Sequence, residues 1–206
     1  MSKSRKALQA IAASLSAQLA RGWAALRVAR QIEAARRTEG ARRDERIGRA
    51  TSLCATIEEA CVESAILALA RLTVSHKDSI SVAYLLNCMQ HSPSAFPLPE
   101  RAATLDAVAQ HQEQLVGLQP LVERVKDHRD RTIAHLDKRY VNRRDTLHTY
   151  PPPALDEVEQ AFVSIAAVLN ACLRALGLPE LELARLESDL GVEWVALLDI
   201  DEEVQS

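Results

Sequence analysis

Residues 4–37 read SRKALQAIAASLSAQLARGWAALRVARQIEAARR, and their spacing decides the fold class. Leu8, Ile11, Leu15, Leu19, Trp23, Leu26 and Ile32 recur at helical intervals, with no proline and a single glycine, Gly22, among them. Such a pattern lines one face of an α-helix and does not fit the strict alternation of a half-buried strand. Composition points the same way. Hydrophobic residues are 48% of the 206-residue chain but aromatics only 3%, so the apolar content is Leu, Ala, Val and Ile. These residues fill helix seams, whereas sheets favour aromatic and β-branched side chains.

Working outward, a second helix is expected over 49–72, presenting Leu53, Ile57, Ala60, Cys61, Ser64, Leu67 and Leu72. Asp78 and Ser79 are candidate caps for a third, running through Met89 with Ile80, Val82, Leu85, Leu86 and Met89 available to a core. Three prolines make 91–99 a loop. A fourth helical region starts near Pro99-Glu100, kinks at Pro120 and continues to about Tyr140. Pro151-Pro-Pro153 precedes a last long helix over 154–176, with Gly177 as its C-terminal cap. No repeat of solenoid period is present. The expected architecture is therefore all-α, an antiparallel bundle of about five main helices. It divides into a basic amphipathic helix and link (1–48, bundle element or dimer arm), a helical core (49–177) and an acidic extension (178–206) that docks in short segments and frays at its end.

Charge is polarised along this order. Residues 1–50 hold twelve Lys and Arg against four Asp and Glu, a local +8 within a chain whose net charge is −3. A basic end of this kind either meets a phosphate backbone or is neutralised by the acidic tail. Cys54, Cys61, Cys88 and Cys172 form no Cys-x-x-Cys pair and have no His-x-x-x-His beside them, so they read as reduced core thiols, with no metal site and no cofactor expected. The N-terminal stretch is broken by charge and does not read as a secretory signal. The longest apolar run, Ala65 to Ala70, is far short of a membrane span. A cytoplasmic protein without membrane attachment is the expectation.

The chemistry concentrates in His128-Arg-Asp-Arg-Thr-Ile-Ala-His135. On a helical wheel Leu121, Val122, Val125, Thr132, Ile133 and Leu136 form one stripe, and Arg129 falls inside it. His128 and His135 sit at its edge, while Glu123, Asp127 and Asp130 point away. A guanidinium on an apolar seam is costly unless paired or bound to phosphate, which sets Arg129 apart from ordinary surface charge. Arg followed a few residues later by His also occurs at Arg71 to His76 and at Arg143 to His148, so spacing alone selects nothing. Of these three, only Arg129 is followed by Asp, Asn or His, here Asp130; Leu72 and Arg144 follow the others.

With Arg129-Asp130 and His135, the helix containing Ala65-Ile-Leu-Ala-Leu-Ala-Arg-Leu72, and the segment Asp78-Ser-Ile-Ser-Val82, the chain resembles the HEPN superfamily of all-α domains, most closely its abortive-infection, AbiU-like branch. The resemblance spans roughly residues 49–177. It implies a metal-independent endoribonuclease of the toxin or phage-defence kind. In such a reaction the ribose 2′-hydroxyl attacks the adjacent phosphate, which needs a base near neutral pH and a fixed cation beside the developing charge. His135 suits the first role and Arg129 the second. Asp130 would orient Arg129 or a histidine.

Six residues of α-helix rise about 9 Å and turn about 600°, leaving Arg129 and His135 about 120° apart. One straight helix does not easily converge them, and the resemblance implies a homodimer with a composite site. Arg131, Lys138, Arg139, Arg143 and Arg144, together with Arg124 and Lys126, offer a basic track for single-stranded RNA. Tyr140 either stacks a base or closes a helix end, and His128 either lines the cleft or is a polar seam residue. An antitoxin or inhibitor protein is a further partner implied. The alternative is a non-catalytic HEPN-like module that binds RNA, a nucleotide or a protein.

Overall fold

A computed structural model describes residues 3–37, 51–74, 79–130 and 153–186. Its α-helices are α1 (Arg5–Arg37), α2 (Thr51–Thr73), α3 (Val82–Gln90), α4 (Arg101–Gly117), α5 (Gln119–His128) and α6 (Leu155–Ala175), with a short 3₁₀ turn at Pro93–Ala95. Among the described residues there is no strand. The fold is all-α.

α1 belongs to the core. Leu8, Ala12, Leu15, Leu19, Trp23, Leu26, Val28 and Ala29 are all buried, against α2 and α6. Arg5 and Gln9 donate to the carbonyls of Ala175 and Leu176 at the end of α6, while Arg27 and Arg30 reach Glu159 near its start. The two helices therefore run antiparallel. Arg30 also bonds Asp156 and Glu33, so the acidic first turns of α6, where the helix dipole favours negative charge, bind the basic half of α1.

Gly22 marks the tightest crossing. A methyl group there would lie 2.5 Å from Ala68 Cβ on α2 and 2.6 Å from the Phe162 ring on α6. Trp23 packs edge-on to the same ring at 6.2 Å between centroids, with Arg27 over its face. Removing one side chain lets three backbones approach.

The buried face of α2 differs from the expected one. Leu53 is 62% exposed and Ala60 and Ser64 are exposed, whereas Ala65, Ile66, Ala68, Leu69, Ala70 and Leu72 are buried. The C-terminal half of α2 is in contact with α1, α3, α5 and α6 and is covered nearly all round. Its N-terminal half lies at the periphery. A single stripe cannot describe a helix that passes from one environment to the other.

α3 is capped by Ser81, not by Asp78 or Ser79. Ser81 is extended, fully buried, and its hydroxyl accepts from Tyr84 N–H at 3.3 Å. Ile80, outside the cap, is consequently 48% exposed and not a core residue. The proline loop after α3 also contributes to the core, through Phe96. Cys88 and Cys172 are buried as expected, but Cys54 and Cys61 lie on peripheral α2 and are half-buried.

α6 is long and apolar enough to cross a membrane by length and composition alone, yet nine of its residues, Phe162 and Ile165 among them, are buried against the other helices. It ends in a Schellman motif. Gly177 takes φ +69°, its N–H reaches Arg174 O, and Leu178 N–H reaches Leu173 O at 2.9 Å. Asn170 then clamps the following segment, its amide bonding both the carbonyl and the N–H of Leu181. Leu178, Leu181, Leu183 and Leu186 pack on the core.

Candidate functional site at the end of α5

The expected kink at Pro120 is a full change of helix. Proline has no N–H to give the carbonyl of Val116 and its ring crowds that carbonyl, so α4 stops at Gly117 and α5 begins at Gln119 with Pro120 in its first turn. The region expected as one kinked helix is thus two.

α5 is held on two sides. Val125 is fully buried and Leu121 and Val122 are half-buried, so the predicted apolar stripe faces the bundle. On another face Arg124 forms a two-pronged pair with Glu157 of α6, at 3.1 and 2.5 Å. Arg124 was expected in a basic track for RNA, and the structure instead ties it to Glu157. The Glu157 carboxylate also accepts from Ala154 N–H at 3.1 Å, closing the first turn of α6. Arg124, and then Ala154, hold this carboxyl below the usual range. Glu157 escaped the sequence reading. A Glu three residues inside a helix start is a capping signal, but its distant Arg partner is visible only in three dimensions.

Arg129 follows as the last turn widens. Its N–H still reaches the carbonyls of Val125 and Lys126, but Arg129 and Asp130 are wound as a π-turn, a feature frequent at functional sites. The span from Arg131 to His135, over which the 120° separation was expected, lies outside the described residues. Arg129 Nε donates to Asp130 Oδ1 at 2.7 Å, and Nη2 lies 2.5 Å from the same oxygen. The wheel pointed Asp130 away from the stripe, while its expected role was to orient Arg129 or a histidine; its carboxylate bonds Arg129. One edge of the guanidinium is thereby fixed on one carboxylate oxygen, and among the described residues Nη1 has no partner. The Arg129 side chain is 26% exposed, so it lies at the rim of the apolar seam, open on one side. His128 is half-buried, and burial pushes its imidazole below the usual histidine value, favouring the neutral ring.

His135, Arg131, Lys138, Arg139, Tyr140, Arg143 and Arg144 lie outside the described residues. Of the predicted site residues the structure pairs Arg129 with Asp130; His128 precedes them and is half-buried, and Lys126 is exposed one turn before Arg129. Among the described residues no group of three His, Cys, Asp or Glu side chains is arranged to hold a metal ion.

An all-α bundle carrying Arg129-Asp130, followed after four residues by His135, fits a HEPN-type module. The chain belongs to the AbiU2 family of HEPN proteins, whose family model matches residues 5–186, from the start of α1 to the segment docked beyond α6. This family places it among abortive-infection HEPN-type modules. No curated protein and no solved structure shows significant similarity to the chain.

Proposed function

We propose that the chain is a metal-independent endoribonuclease, acting as a homodimer on single-stranded RNA in a toxin or phage-defence role. The observation that carries this reading is the state of Arg129. It is a guanidinium at the open rim of an apolar seam, steered by Asp130 along one edge, on a widened turn six residues before His135. A fixed cation is useful only where negative charge develops, and phosphate oxygens match its fork.

In the reaction His135 takes the proton of the 2′-hydroxyl, the 2′-oxygen bonds to phosphorus, and the bond to the 5′-oxygen breaks. A protonated acid returns a proton to that leaving oxygen. With an unperturbed pKa of about 6.5, His135 serves either step, and the two copies in a dimer would divide them. Arg129 neutralises the extra charge on the phosphorane oxygens. Asp130 acts as a positioning residue. Cytoplasmic location and restraint by an antitoxin or inhibitor protein belong to the same reading.

The test is cleavage of single-stranded RNA in EDTA, with 2′,3′-cyclic phosphate and 5′-hydroxyl ends expected. His135→Ala and Arg129→Ala should abolish it, and Asp130→Asn should lower kcat about tenfold, equivalent to about 1.4 kcal/mol of barrier. Cleavage that survives His135→Ala refutes the site. A non-catalytic binding module is the second reading, favoured by the fact that Asp130 already occupies one guanidinium edge. It predicts RNA binding without cleavage.

A further inference from the structure

Beside the Arg129 turn a groove of about 490 Å³ opens where α4 meets α5. This volume is in the range of small-molecule sites. From α5 it is lined by Gln119, Val122, Glu123 and Lys126, and from α4 by Gln112 and Val116. The α5 positions follow the i, i+3, i+4, i+7 rule for one helical face, and the next residues in that series are Arg129 and Asp130. The groove lining ends at Lys126, one turn before the widened turn that carries the Arg129–Asp130 pair. Lys126 and Arg129 are a single turn apart, roughly 4.5 Å along the axis.

We propose that this groove is a nucleotide subsite, holding one base of a single-stranded RNA with its phosphate on Lys126, so that the strand continues onto Arg129. The inference rests on the ribonuclease reading for what happens at Arg129, but its own content is binding. Val116, 71% exposed, and Val122 give the groove an apolar surface for a base face. Gln112 donates through Nε2 to Gln90 Oε1 at 3.2 Å, which fixes its amide and leaves its own oxygen as an acceptor. Glu123 accepts hydrogen bonds and repels phosphate. The backbone is thus directed to the Lys126 end, and the carboxylate faces the base edge. A carboxylate there selects bases that carry an exocyclic amino group (cytosine, adenine or guanine) over uracil, which has none.

The experiment uses the full chain with His135→Ala, to prevent turnover, and fluorescent single-stranded oligomers of C and of U, with anisotropy as the readout. C-oligomers should bind several-fold more tightly than U-oligomers. Val116→Trp, which fills the groove from an exposed position, should weaken C-oligomer binding at least tenfold, while Val163→Trp, on the exposed face of α6 outside the groove, should leave it unchanged. Lys126→Gln should weaken it too and reduce the slope of log K against log salt by about 0.7, the loss of one phosphate contact. If Val116→Trp perturbs folding by circular dichroism, Lys126→Gln, at an exposed residue, decides alone.

Unchanged RNA affinity and salt slope in these variants overturn the subsite. Cleavage by the unsubstituted chain with a KM that Val116→Trp does not raise overturns the subsite and leaves the ribonuclease standing. Groove-dependent RNA binding without cleavage does the opposite. A chain that binds no RNA overturns both.

Discussion

Gly22→Ala should destabilise the fold, although alanine is the better helix former. In the middle of α1 the exchange gains about 1 kcal/mol of helix propensity. Against this, the new Cβ would lie 2.5 Å from Ala68 Cβ and 2.6 and 2.8 Å from two Phe162 ring carbons. Carbon atoms prefer about 3.5–4.0 Å, so α1 must retreat by about 1 Å from both α2 and α6. Ala68 Cβ is fixed to its backbone and cannot swing aside, and Phe162 is fully buried. Overpacking of this kind costs about 1–3 kcal/mol, and the upper end applies because two helices are displaced. The expected net loss is about 2 kcal/mol. Gly117→Ala is the control: nothing lies within 4 Å of its Cβ, and it should gain about 0.4–1 kcal/mol. Urea denaturation of the two variants should place their midpoints on opposite sides of the wild type, at unchanged m-value. Adding Ala68→Gly to Gly22→Ala should recover part of the loss. Equal or greater stability of Gly22→Ala would refute the close approach of α1, α2 and α6, and with it the geometry of the core.

Three further outcomes follow from the ionisable groups. Burial lowers the pKa of His128 from 6.5, so on acidification the unfolded chain takes up a proton that the folded state resists. Stability should therefore rise with pH between about 5 and 7, and His128→Gln should flatten that slope in urea titrations at several pH values. Glu157 has its folded pKa depressed below 4.5, chiefly by Arg124, so its contribution is complete above that value and fades as pH falls through the folded one. The gap in urea midpoint between wild type and Glu157→Gln should shrink from pH 7 to pH 3 and also with added salt; a gap indifferent to both would sink the pairing. The Cys172 thiol is pushed up to about 12 by burial, so alkylation mapped by mass spectrometry should spare it in the native protein and reach it only on unfolding. Native-state labelling of Cys172 ahead of Cys54 would contradict the packing.

The helical class was legible because it depends on local periodicity. The apolar spacing of α1 and the glycine that ends α6 each act within a few residues, and each is found where the sequence puts it, whereas Pro120 separates two helices where a kink in one was expected. The stripe that singled out Arg129 was legible for the same reason, since Val125 is buried on it. Where the reading failed, the deciding contact was remote. The exposed Leu53 depends on where α2 leaves its neighbours, the Ser81 cap on where the buried segment begins, and the Arg124–Glu157 pair on residues 33 positions apart.

At the candidate site the sequence by itself determined the residue types, an arginine beside an aspartate on an apolar seam, because composition and helical phase are local properties. Only the tertiary structure decided how those groups are placed. Asp130 bonds back to Arg129 on a widened turn, and the junction of α4 with α5 opens a groove lined as far as Lys126, one turn earlier. The wheel assumes an unbroken straight helix. How a turn widens and which neighbours border it are set by packing among helices distant in the chain, which no wheel contains.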